Sequence, residues 1–227
     1  QDSFEIHYDN RILLDVIALL RSVPSETEGL TYDINDFCRQ LLSNYAQKLY
    51  AKVSSSYIEK RFDEFKKYKD EFLELLDDID KMLASRPEWT IQKWISDARA
   101  LGTTPEEKDL YEYNARIQIT IWGNEQNSLL FDYAWKEWSG LIGSYHKPRW
   151  KKFFDMLEEK ADEGFDYPAY EDTLRVFENR IVWHADKFYE ELGNWEVAWV
   201  NDKTPIELPK VDPNFVFEMV DKYKDKI

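Results

Sequence analysis

The sequence predicts an all-α fold, a bundle of about eight or nine helices closed by a proline-rich C-terminal strap, and three observations carry that prediction. Apolar residues recur at helical spacing in almost every segment. Short clusters of Pro, Gly and Ser separate those segments, and no run of alternating strand pattern has a neighbour to pair with. The 227 residues are 43% hydrophobic with only 7 glycines and 8 prolines, which is enough apolar matter for a packed core and too little Gly and Pro for a disordered chain. A single all-α domain over 1–227 is expected, since no repeat, low-complexity tract or linker interrupts it.

Ile12, Leu13, Val16, Ile17, Leu19 and Leu20 define a first helix that must stop before Pro24, because the residue ahead of a proline is pushed out of the helical region. A loop over Ser25–Thr31 leads to a long amphipathic helix from Tyr32 to about Ser54, with Ile34, Phe37, Leu41, Leu42, Tyr45 and Leu49 on its apolar side and the Ser54-Ser55-Ser56 cluster as its stop. The third helix carries Phe62, Phe65, Phe72, Leu76, Ile79 and Leu83 on one face, with Lys60–Glu64, Asp63–Lys67 and Lys67–Glu71 as charge pairs on the other. After Pro87, a short helix around Trp94, Ile95 and Ala98 is closed by Gly102 in the left-handed conformation. Thr104-Pro105-Glu106-Glu107 reads as a capping box with proline at the first helical position. The helix it starts runs to Trp122 and ends at Gly123, although Ile117, Ile119 and Ile121 alternate as a strand would.

A polar loop, Asn124–Ser128, precedes a helix from about Leu130 to Tyr145 with Trp135, Trp138, Leu141 and Ile142. Pro148 opens the next, with Trp150, Phe153, Phe154 and Leu157, and Tyr167-Pro168 another, with Leu174, Phe177, Ile181 and Phe188, ending at Gly193. Asn201–Pro213 holds three prolines and reads as the strap, and a last helix follows over Pro213–Lys226.

Charge and chemistry exclude several functions. With 45 acidic against 30 basic side chains, the net charge of −15 leaves no counterion release to drive binding to nucleic acid. The longest apolar stretch, Ile12–Leu20, is broken by Asp15 and too short to span a bilayer. Cys38 is the sole cysteine, so no intrachain disulfide forms, and it reads as a small buried hydrophobe. His7, His146 and His184 are far apart and no ligand spacing places two metal donors on one helix face, so neither a metal nor a cofactor is expected. Carboxylate pairs such as Glu112 with Asp132 can be drawn, yet spacing alone favours solvated charge or partners for Arg99 or Arg116 over catalysis. Asn114, Arg116 and Gln118 form either a satisfied internal network or a polar interface to another domain. Trp122, at a helix end beside a polar loop, is the first place to seek a ligand contact, because an indole stacks on the apolar face of a sugar. The 9 tryptophans, within an aromatic content of 16%, exceed what packing alone needs.

The residues Asn114–Gly123, then Asp132-Tyr133-Ala134 with Lys136, Gly140-Leu141, Tyr145 and Pro148-Arg149-Trp150 closely resemble the C-terminal helical domain of the α-N-acetylglucosaminidases, glycoside hydrolase family eighty-nine. Tyr32-Asp33, Arg39-Gln40, Trp94 and Asp97-Ala98-Arg99 agree in the same order, so the resemblance covers roughly residues 6 to 200. It implies a longer enzyme in which a (β/α)8-like barrel carries both glutamates of a retaining mechanism and this helical domain walls the substrate cleft. No catalytic residue is then expected on this chain. The sugar-pocket positions that the resemblance transfers are Trp122, Tyr133 and Leu130. Asn124 stands where the family commonly has proline, Trp135 replaces a usual asparagine and His146 a usual tyrosine, and the loop to Asp132 is about two residues longer.

The implied partners are the catalytic barrel of the same polypeptide and a glycan ending in α-linked N-acetylglucosamine. The implied location is extracytoplasmic, and the absence of any Asn-x-Ser/Thr acceptor points to a bacterial source. The acidic surface favours neutral glycans over sulfated ones. A rival from another class is a stand-alone helical module that binds carbohydrate or protein without catalysis. The domain reading differs from it in expecting an uncovered tryptophan-containing patch with unsatisfied polar groups near Arg116.

Overall fold

The computed structural model describes residues 6–24, 27–122, 132–164, 186–212 and 214–227. Eight α-helices lie among them: α1 (Arg11–Arg21), α2 (Glu28–Ile58), α3 (Phe62–Leu83), α4 (Ile91–Ala100), α5 (Pro105–Gln118), α6 (Lys147–Asp162), α7 (Asp186–Asn201) and α8 (Phe215–Tyr223). Among the described residues there are also a 3₁₀ turn at Pro87–Trp89, a π-helical stretch at Ile142–His146 and a bridge between extended residues that joins Thr90 to Ser139. The all-α expectation holds. The chain divides into two compact units, residues 1–93, 137–147 and 206–227 in the first, and 94–136 and 148–205 in the second.

In the first unit α2 lies against α3, with α1 and α8 packed beside them. Cys38, Leu41, Leu42, Tyr45, Leu49 and Val53 form the buried stripe of α2, facing Phe65, Phe72, Leu75, Ile79 and Leu83 of α3. Each such side chain contributes about 1.5–3 kcal/mol on burial. Burial pushes the Cys38 thiol up to about 12, so the cysteine is a packing residue and not a nucleophile. The buried amide of Asn44 donates to Asn10 Oδ1 (2.9 Å) and to Tyr8 OH (2.8 Å), tying the turn ahead of α1 to α2.

The long helix begins earlier and ends later than its sequence suggests. Thr27 Oγ1 accepts from Leu30 N–H (3.2 Å) and starts α2 at Glu28, inside the predicted loop. Its serine cluster does not stop it, because Ser55 and Ser56 turn their hydroxyls back onto the helix's own carbonyls, Ser56 Oγ reaching Lys52 O at 2.7 Å.

Asp80 explains why the predicted Leu130–Tyr145 helix fails over its described part. Residues 135–138 have no regular structure, and the helix starts only at Leu141 and runs on, through the π-helical turn, into α6. The Asp80 carboxylate, projecting from α3, accepts from the backbone N–H of Gly140 (2.7 Å) and Gly143 (2.9 Å), a cap supplied from a distant helix. Gly140 has φ +81°, where only glycine sits without strain, and a Cβ on it would lie 2.7 Å from Ile91 Cγ2. The helix predicted from Pro148 is α6, which starts one residue earlier at Lys147 and follows directly on the π turn, whose Lys147 N–H reaches Ile142 O; proline is tolerated at such a start because its missing N–H has no ladder partner to lose. Burial pushes the Asp80 carboxyl above the ordinary aspartate value, against the two backbone donors that pull it down.

In the second unit the capping box forms as read: Thr104 Oγ1 accepts from Glu107 N–H (3.2 Å) while the Glu107 side chain reaches back to Thr104 N–H (3.4 Å). Gly102 is not left-handed; it is needed because the first turn of α5 passes so close that a Cβ would meet Lys108 N at 2.7 Å. Gly193 does not end its helix, and α7 continues to Asn201 because Gly193, Glu196 and Val200 share its buried face. The predicted start at Tyr167-Pro168 and the Asn124–Ser128 loop lie outside the described residues, and Asp202–Asp212 carries no helix or strand.

Asp80→Ala leaves one buried and one half-buried backbone donor unpaired, at about 1–3 kcal/mol each, and is expected to lower unfolding stability by about 2–4 kcal/mol in urea titration. Asp80→Asn keeps an acceptor and sheds the penalised charge, so its loss is expected to stay within about 1 kcal/mol.

Candidate functional site

The site grows out of the end of α5. The predicted helix to Trp122 stops at Gln118, because Ile119, Thr120 and Ile121 are all buried and no single helix face could bury all three. Thr120 N–H bonds to Ile117 O (3.1 Å), Thr120 Oγ1 donates to Arg116 O (2.6 Å), and Trp122 N–H closes a wider turn onto Ile117 O (2.9 Å). Trp122 then emerges with φ +57°. For a bulky L-residue that is a true outlier, costing on the order of 1–3 kcal/mol unless its surroundings hold it.

The chain returns at Asp132, also left-handed at φ +55°, whose N–H donates to Thr120 O (2.8 Å). Tyr133 follows. Its ring and that of Trp122 lie 5.2 Å apart between centroids, tilted by 54°, and Tyr133 is 71% exposed. Trp135, whose N–H turns back to Asp132 O (3.2 Å), is 53% exposed beside them. Of the three residues transferred from the resemblance, the structure brings Trp122 and Tyr133 together; Leu130 lies outside the described residues.

Asp132, next to Tyr133 in the chain, belongs to a charge network that sequence reading missed. Arg149 of α6 grips both carboxylate oxygens of Asp132 (3.0 and 2.8 Å), and its Nε lies 2.6 Å from Glu196 of α7, which is 2% exposed. One signal was available: Glu196 stands within the apolar run Trp195–Val200, where an acid must be buried and therefore paired.

A second network surrounds Arg116, itself 2% exposed. Arg116 Nε donates to Glu112 Oε1 (2.9 Å), its guanidinium lies 4.8 Å over the Trp199 ring, and Arg99 holds the other Glu112 oxygen (2.6 Å) and Asp109 (2.9 Å). Trp94 Nε1 donates to Ala115 O (2.9 Å) at the same helix. Arg116 itself is thus part of a satisfied internal network, whereas the buried Lys203 Nζ, within electrostatic reach of Arg116 and Glu112, makes no hydrogen bond among the described residues. Asn114 and Gln118 face solvent. Lys203 lies 5.5 Å over the Tyr113 ring, and burial lowers its pKa from the ordinary lysine value. Glu112 and Asp132, the carboxylates open to a catalytic reading, are each committed to arginine. Among the described residues no group of three His, Cys, Asp or Glu converges as a metal site would.

Residues 1–221 match the family model of the α-N-acetylglucosaminidase (NAGLU) C-terminal domain. The chain belongs to that family. Human α-N-acetylglucosaminidase is similar at 32% identity over 163 residues, which are 70% of this chain and 22% of the relative. A family 89 glycoside hydrolase from Clostridium perfringens, solved in complex with PUGNAc, superposes with a TM-score of 0.75 at 29% identity, covering 96% of this chain and 24% of that one. The Clostridium perfringens protein with two glutamates changed to glutamine, in complex with its substrate GlcNAc-α-1,4-galactose, gives a TM-score of 0.75 at 28% identity and covers 98% and 25%. The chain spans about a quarter of the length of these relatives. The NAGLU C-terminal fold is therefore all-helical here and carries its two arginine networks within the second unit.

Glu112→Ala strips the buried Arg116 guanidinium of its carboxylate and is expected to cost about 3–5 kcal/mol of unfolding free energy, read by urea titration, with Glu112→Gln costing less.

Proposed function

We propose that this chain acts as the C-terminal domain of a retaining exo-α-N-acetylglucosaminidase and walls the pocket for a terminal α-linked N-acetylglucosamine. The observation that carries this reading is the Trp122–Tyr133 pair, two rings with centroids 5.2 Å apart, one at the left-handed Trp122 beyond the end of α5 and the other directly after the left-handed Asp132. Aromatic planes presented this way suit the C–H face of a pyranose. Leu130 completes the wall in this reading. Chemistry belongs to a catalytic barrel elsewhere in the polypeptide, which supplies the acid/base and nucleophile glutamates. The family match and the quarter-length coverage support such a division over a stand-alone binding module. The same chain threads both compact units, crossing between them four times by the limits of their segments, which supports treating 1–227 as one domain.

A formal charge of −15 supports a neutral glycan as the substrate, since sulfated chains would be repelled. No described helix is long and apolar enough to cross a membrane. An extracytoplasmic enzyme, periplasmic, cell-surface or secreted, is the setting in which such glycans are met, and a bacterial source accords with the absence of Asn-x-Ser/Thr acceptors.

Trp122→Ala in the complete polypeptide is expected to lower kcat/KM for an aryl α-N-acetylglucosaminide about 10- to 100-fold, equivalent to roughly 1–3 kcal/mol of lost stacking. An unchanged kcat/KM removes Trp122 from the pocket.

A further inference from the structure

Two left-handed residues, Trp122 and Asp132, stand at the two ends of the segment that carries the wall, and both need outside support to stay there. Asp132 receives it from Arg149. The guanidinium offers a rigid fork, and here the fork is used in two directions: NH1 holds both Asp132 oxygens at 3.0 and 2.8 Å, and Nε faces the buried Glu196 at 2.6 Å. Because Glu196 lies on α7 and Arg149 on α6, the position of Asp132 is set by two helices and not by its own loop. Asp132 in turn donates its N–H to Thr120 O, two residues before Trp122, so the grip is passed across to the other end. Tyr133 is the next residue along.

We propose that Arg149, oriented by Glu196, is a positioning residue for sugar binding: by clamping Asp132 it fixes the separation and tilt of the Trp122 and Tyr133 rings. This rests on the reading of those rings as the pocket wall. Arg149 itself is turned toward its two carboxylates and acts through the aromatics. A lysine cannot replace it, since a single ammonium cannot span Asp132 and Glu196 with fixed geometry.

The test is carried out on the complete polypeptide with an aryl α-N-acetylglucosaminide as probe, comparing wild type, Arg149→Met, Arg149→Lys and Trp122→Ala. Arg149→Met is expected to raise KM about 10-fold or more with kcat changed far less, the pattern of lost uniform binding, and Arg149→Lys is expected not to restore it. Added to Trp122→Ala, Arg149→Met should cost little more, because residues acting as one unit are not additive. Hydrogen exchange supplies the readout independent of activity: the amides of Trp122 and Asp132 are expected to exchange at least about 10-fold faster in Arg149→Met, while those of Gly140 and Gly143 in the first unit keep their protection.

Unchanged exchange at Trp122 and Asp132 overturns the clamp, whatever happens to KM. Faster exchange with an unchanged KM overturns instead the assignment of the rings to the pocket, and the positioning role falls with it. Where Arg149→Met fails to fold, Asp132→Asn, which keeps the side chain's shape and loses the ion pair, carries the same expectations at smaller size, and its failure to move both readouts overturns the proposal.

Discussion

Arg149 and Arg116 are both drawn largely out of water, and a guanidinium keeps its charge at any pH the protein meets, so each has to find carboxylates in fixed places. The second unit is arranged around that requirement. Arg116 takes Glu112 within its own helix and lies against Trp199 of α7, while Arg149 joins α6 to Glu196 of α7 and to Asp132 at the head of the Tyr133 turn. These pairs add little net stability over an apolar core, but breaking one leaves a stranded charge, so they specify geometry. Beside that geometry stand Trp122 and Asp132, both in the left-handed region that neither residue would adopt unaided.

The same economy accounts for the carboxylates. An acidic, aromatic-rich domain invites a search for a catalytic pair, and Glu112 with Asp132 is one that can be drawn, although spacing alone favours structural roles for both. Both turn out to be counter-ions of buried or half-buried arginines, a role in which their charge is spent on structure. A domain that belongs to the α-N-acetylglucosaminidase C-terminal family and spans a quarter of its relatives fits a division in which chemistry and recognition sit on different parts of one polypeptide.

Local signals were legible in the sequence and long-range ones were not. The capping box at Thr104, the existence of α1, the apolar face of α3 and the final helix all follow from spacing within a turn or two. The misread boundaries have two causes: at Leu141 a contact from afar, since Asp80 caps a helix 60 residues away, and at α2 side-chain bonds that the composition did not reveal, Thr27 starting the helix and Ser56 bonding back onto it. The turn at Ile119–Ile121 defeated periodicity because all its residues are buried, which erases the polar face that marks a helix. Trp122 drew notice as a tryptophan beside a polar loop, whereas Tyr133 was reached only through the family resemblance. Arg149 and Glu196 needed the fold to bring them together, although an acid inside Trp195–Val200 announces that some cation must meet it.

The most direct measurement compares hydrolysis of an aryl α-N-acetylglucosaminide by the 227-residue chain and by the complete polypeptide that contains it. Turnover by the longer chain alone is the expected result. Turnover by the 227-residue chain would contradict the division of labour and place the reacting carboxylates within it, and no turnover by either would contradict the glycosidase reading itself.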